Sequence, residues 1–106
     1  MGRQPTTVAD VVEHFTTVPT EFRLYQSYPN PFNPSTTIKF SVPVDRFVSL
    51  KVYDMLGREV ATLMSEEVRA GTYQREWDAT RFASGVYYYR IAAGEYLDTK
   101  KTVLIK

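Results

Sequence analysis

The side chains able to do chemistry in this chain are few and scattered. There is one histidine, His14, and no cysteine, so the Ser/His and Cys/His pairings of nucleophilic catalysis have little to be built from. Glu66 and Glu67 are adjacent carboxylates, and Asp45, Asp54 and Asp78 fall where turns are expected. None has the spacing of a metal-binding loop, and aspartates in turns ordinarily hold backbone amides. Tyr53, Tyr88, Tyr96 and Phe47 read as outward-facing aromatics. Such rings can stack on sugars in a carbohydrate-binding sandwich, although their commoner use is to pair across strands. Trp77 reads as core. No enzyme, cofactor or metal is expected from this set.

Length and composition bound what must position these residues. A chain of 106 residues is one domain by size, with enough surface to bury for a single core. Aromatics make up 14% of it, including eight tyrosines, and side chains of that kind favour sheet. With 13 basic and 12 acidic residues there is no field to hold a phosphate backbone, so nucleic acid is not expected as a partner. No apolar run approaches the ~20 residues of a membrane span, and membrane insertion is not expected.

Along the chain, residues 1–20 differ in character from the remainder. Val8, Val11, Val12 and Phe15 have the spacing of one helical face, which predicts a short helix over 8–15 within an N-terminal arm or linker. The folded domain is expected over 21–106. Thr36, Ile38, Phe40 and Val42 alternate with polar residues until Pro43, and Val48, Leu50 and Val52 do the same, as half-buried strands should. Asp54–Gly57 reads as a hairpin turn. In the returning strand, Arg58 to Met64, Val60 and Leu63 are three apart, which predicts a bulge. Ser65 to Gly71 reads as a loop. Tyr73 and Trp77 share a face with Arg75 between them, while Tyr87, Tyr89 and Ile91 point inward and Tyr88 and Arg90 outward. Gly94-Glu95 makes the last turn before a closing strand from Tyr96. The sum is about seven strands with turns every 8 to 12 residues, an all-β, antiparallel immunoglobulin-like sandwich.

The most restrictive stretch is Tyr28-Pro29-Asn30-Pro31-Phe32-Asn33-Pro34-Ser35-Thr36-Thr37. Its prolines remove backbone donors and keep the preceding residues out of the helical region, leaving a stiff lead-in to the sheet. Asn30 and Asn33 are expected to fold back onto nearby amides, with Phe32 as a plug for an open end of the core. This stretch closely resembles the opening of the C-terminal sorting domain of type IX secretion substrates of the Bacteroidetes and their relatives. The resemblance continues through Asp54 to Glu59, Gly71 to Trp77, Ala83 to Tyr87 and Lys100 to Lys106, and so covers about residues 21–106. Thr102 and Arg75 depart from the pattern, since the family usually has apolar residues there.

The resemblance implies a folded tag on a larger exported protein. It would be recognised in the periplasm by the outer-membrane translocon and cut off by a surface sortase, between Thr16 and Phe22, for cell-surface attachment or extracellular release of the cargo. Positions matching the family's recurrent ones are Pro29, Asn30, Pro31, Gly57, Gly85, Tyr87, Lys101, Leu104 and Lys106. If Lys100 to Lys106 lies at a sheet edge, its backbone could accept a partner strand or a second copy of the chain. Two other classes fit the same fold. One is a carbohydrate-binding or adhesion module of a secreted hydrolase. The other is an immunoglobulin-like spacer.

Overall fold

A computed structural model describes residues 18–106; the helix expected over 8–15 lies outside the described residues. Seven strands follow one another: β1 (Arg23–Leu24), β2 (Ser35–Val42), β3 (Arg46–Tyr53), β4 (Glu59–Val68), β5 (Gly71–Asp78), β6 (Gly85–Ala93) and β7 (Tyr96–Leu104). They form a three-stranded sheet in the order β1-β2-β5 and a four-stranded sheet in the order β4-β3-β6-β7. All strand pairs are antiparallel. No helix occurs among the described residues.

The period-two alternation settles which face of each strand is buried. Thr36, Ile38, Phe40 and Val42 from β2 and Val48, Leu50 and Val52 from β3 all lie inside the sandwich. From β6, Tyr87, Tyr89 and Ile91 join them, while Tyr88 and Arg90 face out. Proline cannot donate to a ladder, and β2 stops at Val42 directly before Pro43. The predicted bulge is present twice over. Pairing of β3 with β4 runs Leu50↔Met64, Lys51↔Thr62, Val52↔Ala61 and Tyr53↔Glu59, passing over Leu63 and Val60.

Two expectations about the sheets need correcting. Ser65 to Val68 is not loop but the continuation of β4, paired with β3 from Ser49 to Arg46; the polar run Ser65-Glu66-Glu67 hid an edge strand whose apolar contact with the core is Val68. Tyr96 does not face outward. Its ring stacks on Phe22 at 4.9 Å between centroids, because the extra apolar residue before β1 needs cover at that corner. Arg75 sits half-buried on the core-facing side of β5 with its guanidinium 3.4 Å from Glu66 of β4. An inward charge at the open side of a sandwich discourages further strands from adding there.

Candidate functional site

Apart from Lys101, the positions singled out by sequence gather into two groups at one end of the sandwich, and the lead-in segment builds the first. Phe32 is 2% exposed and packs on Trp77, with centroids 5.6 Å apart. The same aromatic cluster includes Phe82 and Tyr87. The backbone of Phe32 docks in parallel fashion on the closing strand. Its N–H donates to the Val103 carbonyl and its carbonyl accepts from the Ile105 N–H, both at 2.9 Å. The expected plug is therefore also a clamp.

Asn30 completes the clamp through its side chain. Its Oδ1 accepts from the Val103 N–H at 2.9 Å and from the Thr102 hydroxyl at 3.4 Å. Its Nδ2 reaches the Lys101 carbonyl at 3.5 Å, which also accepts from Gln26 Nε2 at 2.9 Å. The fold-back onto a neighbouring amide expected of Asn30 is thus replaced by a link across 73 residues. Pro29 and Pro31 flank it, exposed to solvent. The Pro29 carbonyl accepts from the Thr36 hydroxyl at 2.7 Å, which pins the corner to β2.

Beneath Asn30 lies a buried polar pair that periodicity does not announce. Ser27 and Thr102 are 3% and 0% exposed, and the Ser27 hydroxyl donates to Thr102 Oγ1 at 2.9 Å. Burial of hydroxyls is tolerated when each finds a partner, so threonine replaces the family's usual apolar residue at no cost in unmet hydrogen bonds. The Ser27 N–H donates to the phenol of Tyr89, which in turn donates to the Tyr25 carbonyl, each at 2.8 Å. Burial pushes the Tyr89 phenol above its ordinary pKa, which keeps the proton that this second bond needs. The one signal in the sequence was Thr102, a polar residue where the resembled family usually has an apolar one.

This arrangement corrects the expectation of a free closing edge. β7 is an edge strand of its sheet, but the Lys101 carbonyl, both backbone groups of Val103 and the Ile105 N–H are occupied by Gln26, Asn30 and Phe32. Leu104 is buried, Ile105 exposed and Val103 in between.

The second group surrounds the β3–β4 turn and the start of β6. Gly57 has φ of +83°, a conformation that a β-carbon disfavours. Asp54 Oδ1 accepts from the N–H groups of Leu56 and Arg58, and its Oδ2 takes the Arg58 guanidinium at 2.8 Å. The Arg58 backbone bond above all, with its guanidinium and the Leu56 amide, holds the Asp54 carboxyl below the usual range. Met55 and Leu56 project from the tip, 69% and 77% exposed. A shallow cleft of about 220 Å³ separates them from Ser84, Gly85 and Tyr87. Gly85 opens β6 opposite Leu104, and the Tyr87 hydroxyl donates to the Ala83 carbonyl at 2.7 Å. The Lys106 N–H donates to Ser84 Oγ at 3.0 Å, and its ammonium to the Thr80 carbonyl. Lys101 stands apart, on the solvent face of β7 opposite Tyr88.

None of these side chains is arranged for bond making. Among the described residues, no group of three His, Asp or Glu side chains could hold a metal ion. What the site offers is a displayed surface.

A family model described as the secretion system C-terminal sorting domain matches residues 26–106. The chain belongs to this family. Its sorting domains are non-catalytic modules that serve as secretion signals of exported proteins. They are recognised by the type IX secretion machinery, and carrying one implies secretion to the cell surface. No curated protein matches the chain. Among solved structures, the sorting domain is similar to part of dimeric latent PorU from Porphyromonas gingivalis. The TM-score is 0.61 at 21% identity, covering 76% of this chain and 9% of that one. It is also similar to part of PorZ, an essential surface component of the type IX secretion system of the same organism. There the TM-score is 0.56 at 22% identity, covering 86% of this chain and 13% of that one. At these identities the likeness is one of fold.

Proposed function

We propose that this sorting domain is read in the periplasm by the outer-membrane translocon, and that a surface sortase then cuts between Thr16 and Phe22. The cargo ahead of it is anchored to the cell surface or released outside. The surface that is read comprises Pro29, Asn30 and Pro31, the corner formed by Gly57, Gly85 and Tyr87, and the closing residues Lys101, Leu104 and Lys106. Within this set Leu104 and Tyr87 act by packing, and the glycines and prolines by shaping the backbone. Asn30, Lys101 and Lys106 present polar groups.

One observation carries the reading. The lead-in and the closing strand, widely separated in sequence, are fastened to each other by Asn30 and Phe32, so the two stretches richest in family positions form one continuous surface. The domain organisation that goes with it is an arm over 1–20 and a sorting domain over 21–106.

The test fuses residues 21–106 to a fluorescent cargo bearing its own signal peptide in a host with a type IX system. Fluorescence at the cell surface or in the medium is the expected outcome. Cargo held in the periplasm, while an established sorting domain exports in parallel, would overturn the proposal.

A further inference from the structure

The lead-in segment covers the outer edge of β7 without being a strand of that sheet. At Tyr28 its backbone is committed elsewhere, exchanging both hydrogen bonds with Thr37 of β2 at 3.0 Å, and only at Phe32 does its backbone meet that of the closing strand. From Gln26 to Pro31 it holds β7 through side chains: Gln26 on the Lys101 carbonyl, Ser27 on Thr102, and Asn30 on Lys101, Thr102 and Val103. Below that, Phe32 is the buried anchor. Gln26 and Asn30 can therefore let go of the edge while Tyr28 and Phe32 keep the chain in place.

Once they do, Leu97 to Lys101 and the Val103 N–H form an exposed edge with a defined pattern, while the Val103 carbonyl stays with the Phe32 N–H. Leu97, Thr99, Lys101 and Val103 lie on its solvent face, Leu97 being 61% exposed. The Thr99 N–H is held meanwhile by its own neighbour, Asp98 Oδ1, at 2.8 Å. The charge along this edge is positive. Lys100 and Lys101 lie at its centre and Arg90 beside Thr99, their hydrogen-bonding atoms 3.2 Å apart. The Asp98 carboxylate is engaged by the Thr99 amide and the Tyr96 hydroxyl. A second copy of the chain pairing here in antiparallel fashion would set lysine against lysine, which is unfavourable for directly opposed residues.

We propose that β7 from Leu97 to Val103 is a latent strand-addition site for an extended acidic segment of a partner protein, guarded by Gln26 and Asn30. Backbone pairing supplies the affinity and alternate side chains the selectivity. The segment that fits places a carboxylate opposite Lys101 and apolar residues opposite Leu97 and Val103. The proposal deepens the sorting reading by naming the kind of surface that engages the closing strand.

The probes are two synthetic seven-residue strand peptides, alike except for glutamate or lysine at the position facing Lys101, titrated into the full chain and followed by amide NMR. The acidic peptide is expected to shift the Leu97, Thr99, Lys101 and Val103 amides. It should bind Asn30→Ala about tenfold tighter than the unaltered chain, because the competing side-chain bonds are gone. Should Asn30→Ala not fold, Gln26→Ala makes the same comparison. Lys101→Glu should reverse the preference between the peptides. Equal binding of both peptides, shifts confined to β4 or β5, or dimerisation of Asn30→Ala without peptide would each overturn the proposal. Cargo export that persists when peptide binding is absent would sink strand addition and leave the sorting function standing.

Discussion

The β3–β4 turn and the lead-in segment are each built around one side chain whose oxygen accepts from backbone amides, yet they are held in opposite ways. Asp54 satisfies amides two and four residues away. Asn30 satisfies an amide 73 residues away. The turn is complete as soon as its own residues are present, whereas the lead-in, pinned to β2 at Tyr28 and Pro29, stays unfinished until β7 is in place beside it. The first is a local unit that a sequence motif can specify alone; the second is a joint between distant parts.

Removing the anchor of the joint should have the largest effect and leave the turn untouched. Phe32→Ala deletes a ring 2% exposed and should cost about 3–5 kcal/mol in denaturant unfolding, typical for buried Phe to Ala. In whatever folded population remains, the Leu56 and Arg58 amides should keep their chemical shifts while those of Val103 and Ile105 move. Coincident loss of both sets would break the distinction.

A smaller effect is expected at the buried pair under Asn30. Thr102→Val leaves the Ser27 hydroxyl without its partner and should destabilise by about 1–3 kcal/mol, the penalty for an orphaned buried polar group. Adding Ser27→Ala should return part of that loss, because an apolar pair leaves nothing unmet. Additive losses in the double variant would show that the hydroxyls do not act together.

The smallest effect belongs to the turn. Its Asp54 carboxyl is held below the usual range mainly by the Arg58 backbone N–H, so its contribution is present above the unfolded aspartate pKa and fades as pH falls through the lowered folded value. An acid titration followed by NMR should move the Leu56 and Arg58 amides with a midpoint below that of an ordinary aspartate. The Val103 amide, bonded to a group that does not ionise, should not follow that midpoint. A shared midpoint would mean that the two regions are coupled after all.

The same contrast explains what could be read from the sequence. Alternation placed Ile38, Phe40, Val42, Val48, Leu50 and Val52 in the core because burial on a strand follows a period of two. It also located the bulge at Val60 and Leu63, where that period slips. The turn was legible because Asp54 and Gly57 answer only to their neighbours. The partner of Asn30 was not legible, since nothing in a local window says which distant amide an asparagine will meet. Likewise Ser65 to Val68 looked like a loop because an edge strand facing water need not be apolar, and Tyr96 looked outward because Phe22 lay far off in the chain.

A consequence follows from the docking of Phe32 on Val103 and Ile105. A ribosome that has delivered the lead-in, the turn and six of the seven strands has still not made what Phe32 and Asn30 grip. Chains broken off before those residues lack what the lead-in closes on, however intact they are upstream. The join between front and back of the domain thus closes only after the last of the seven strands has been made.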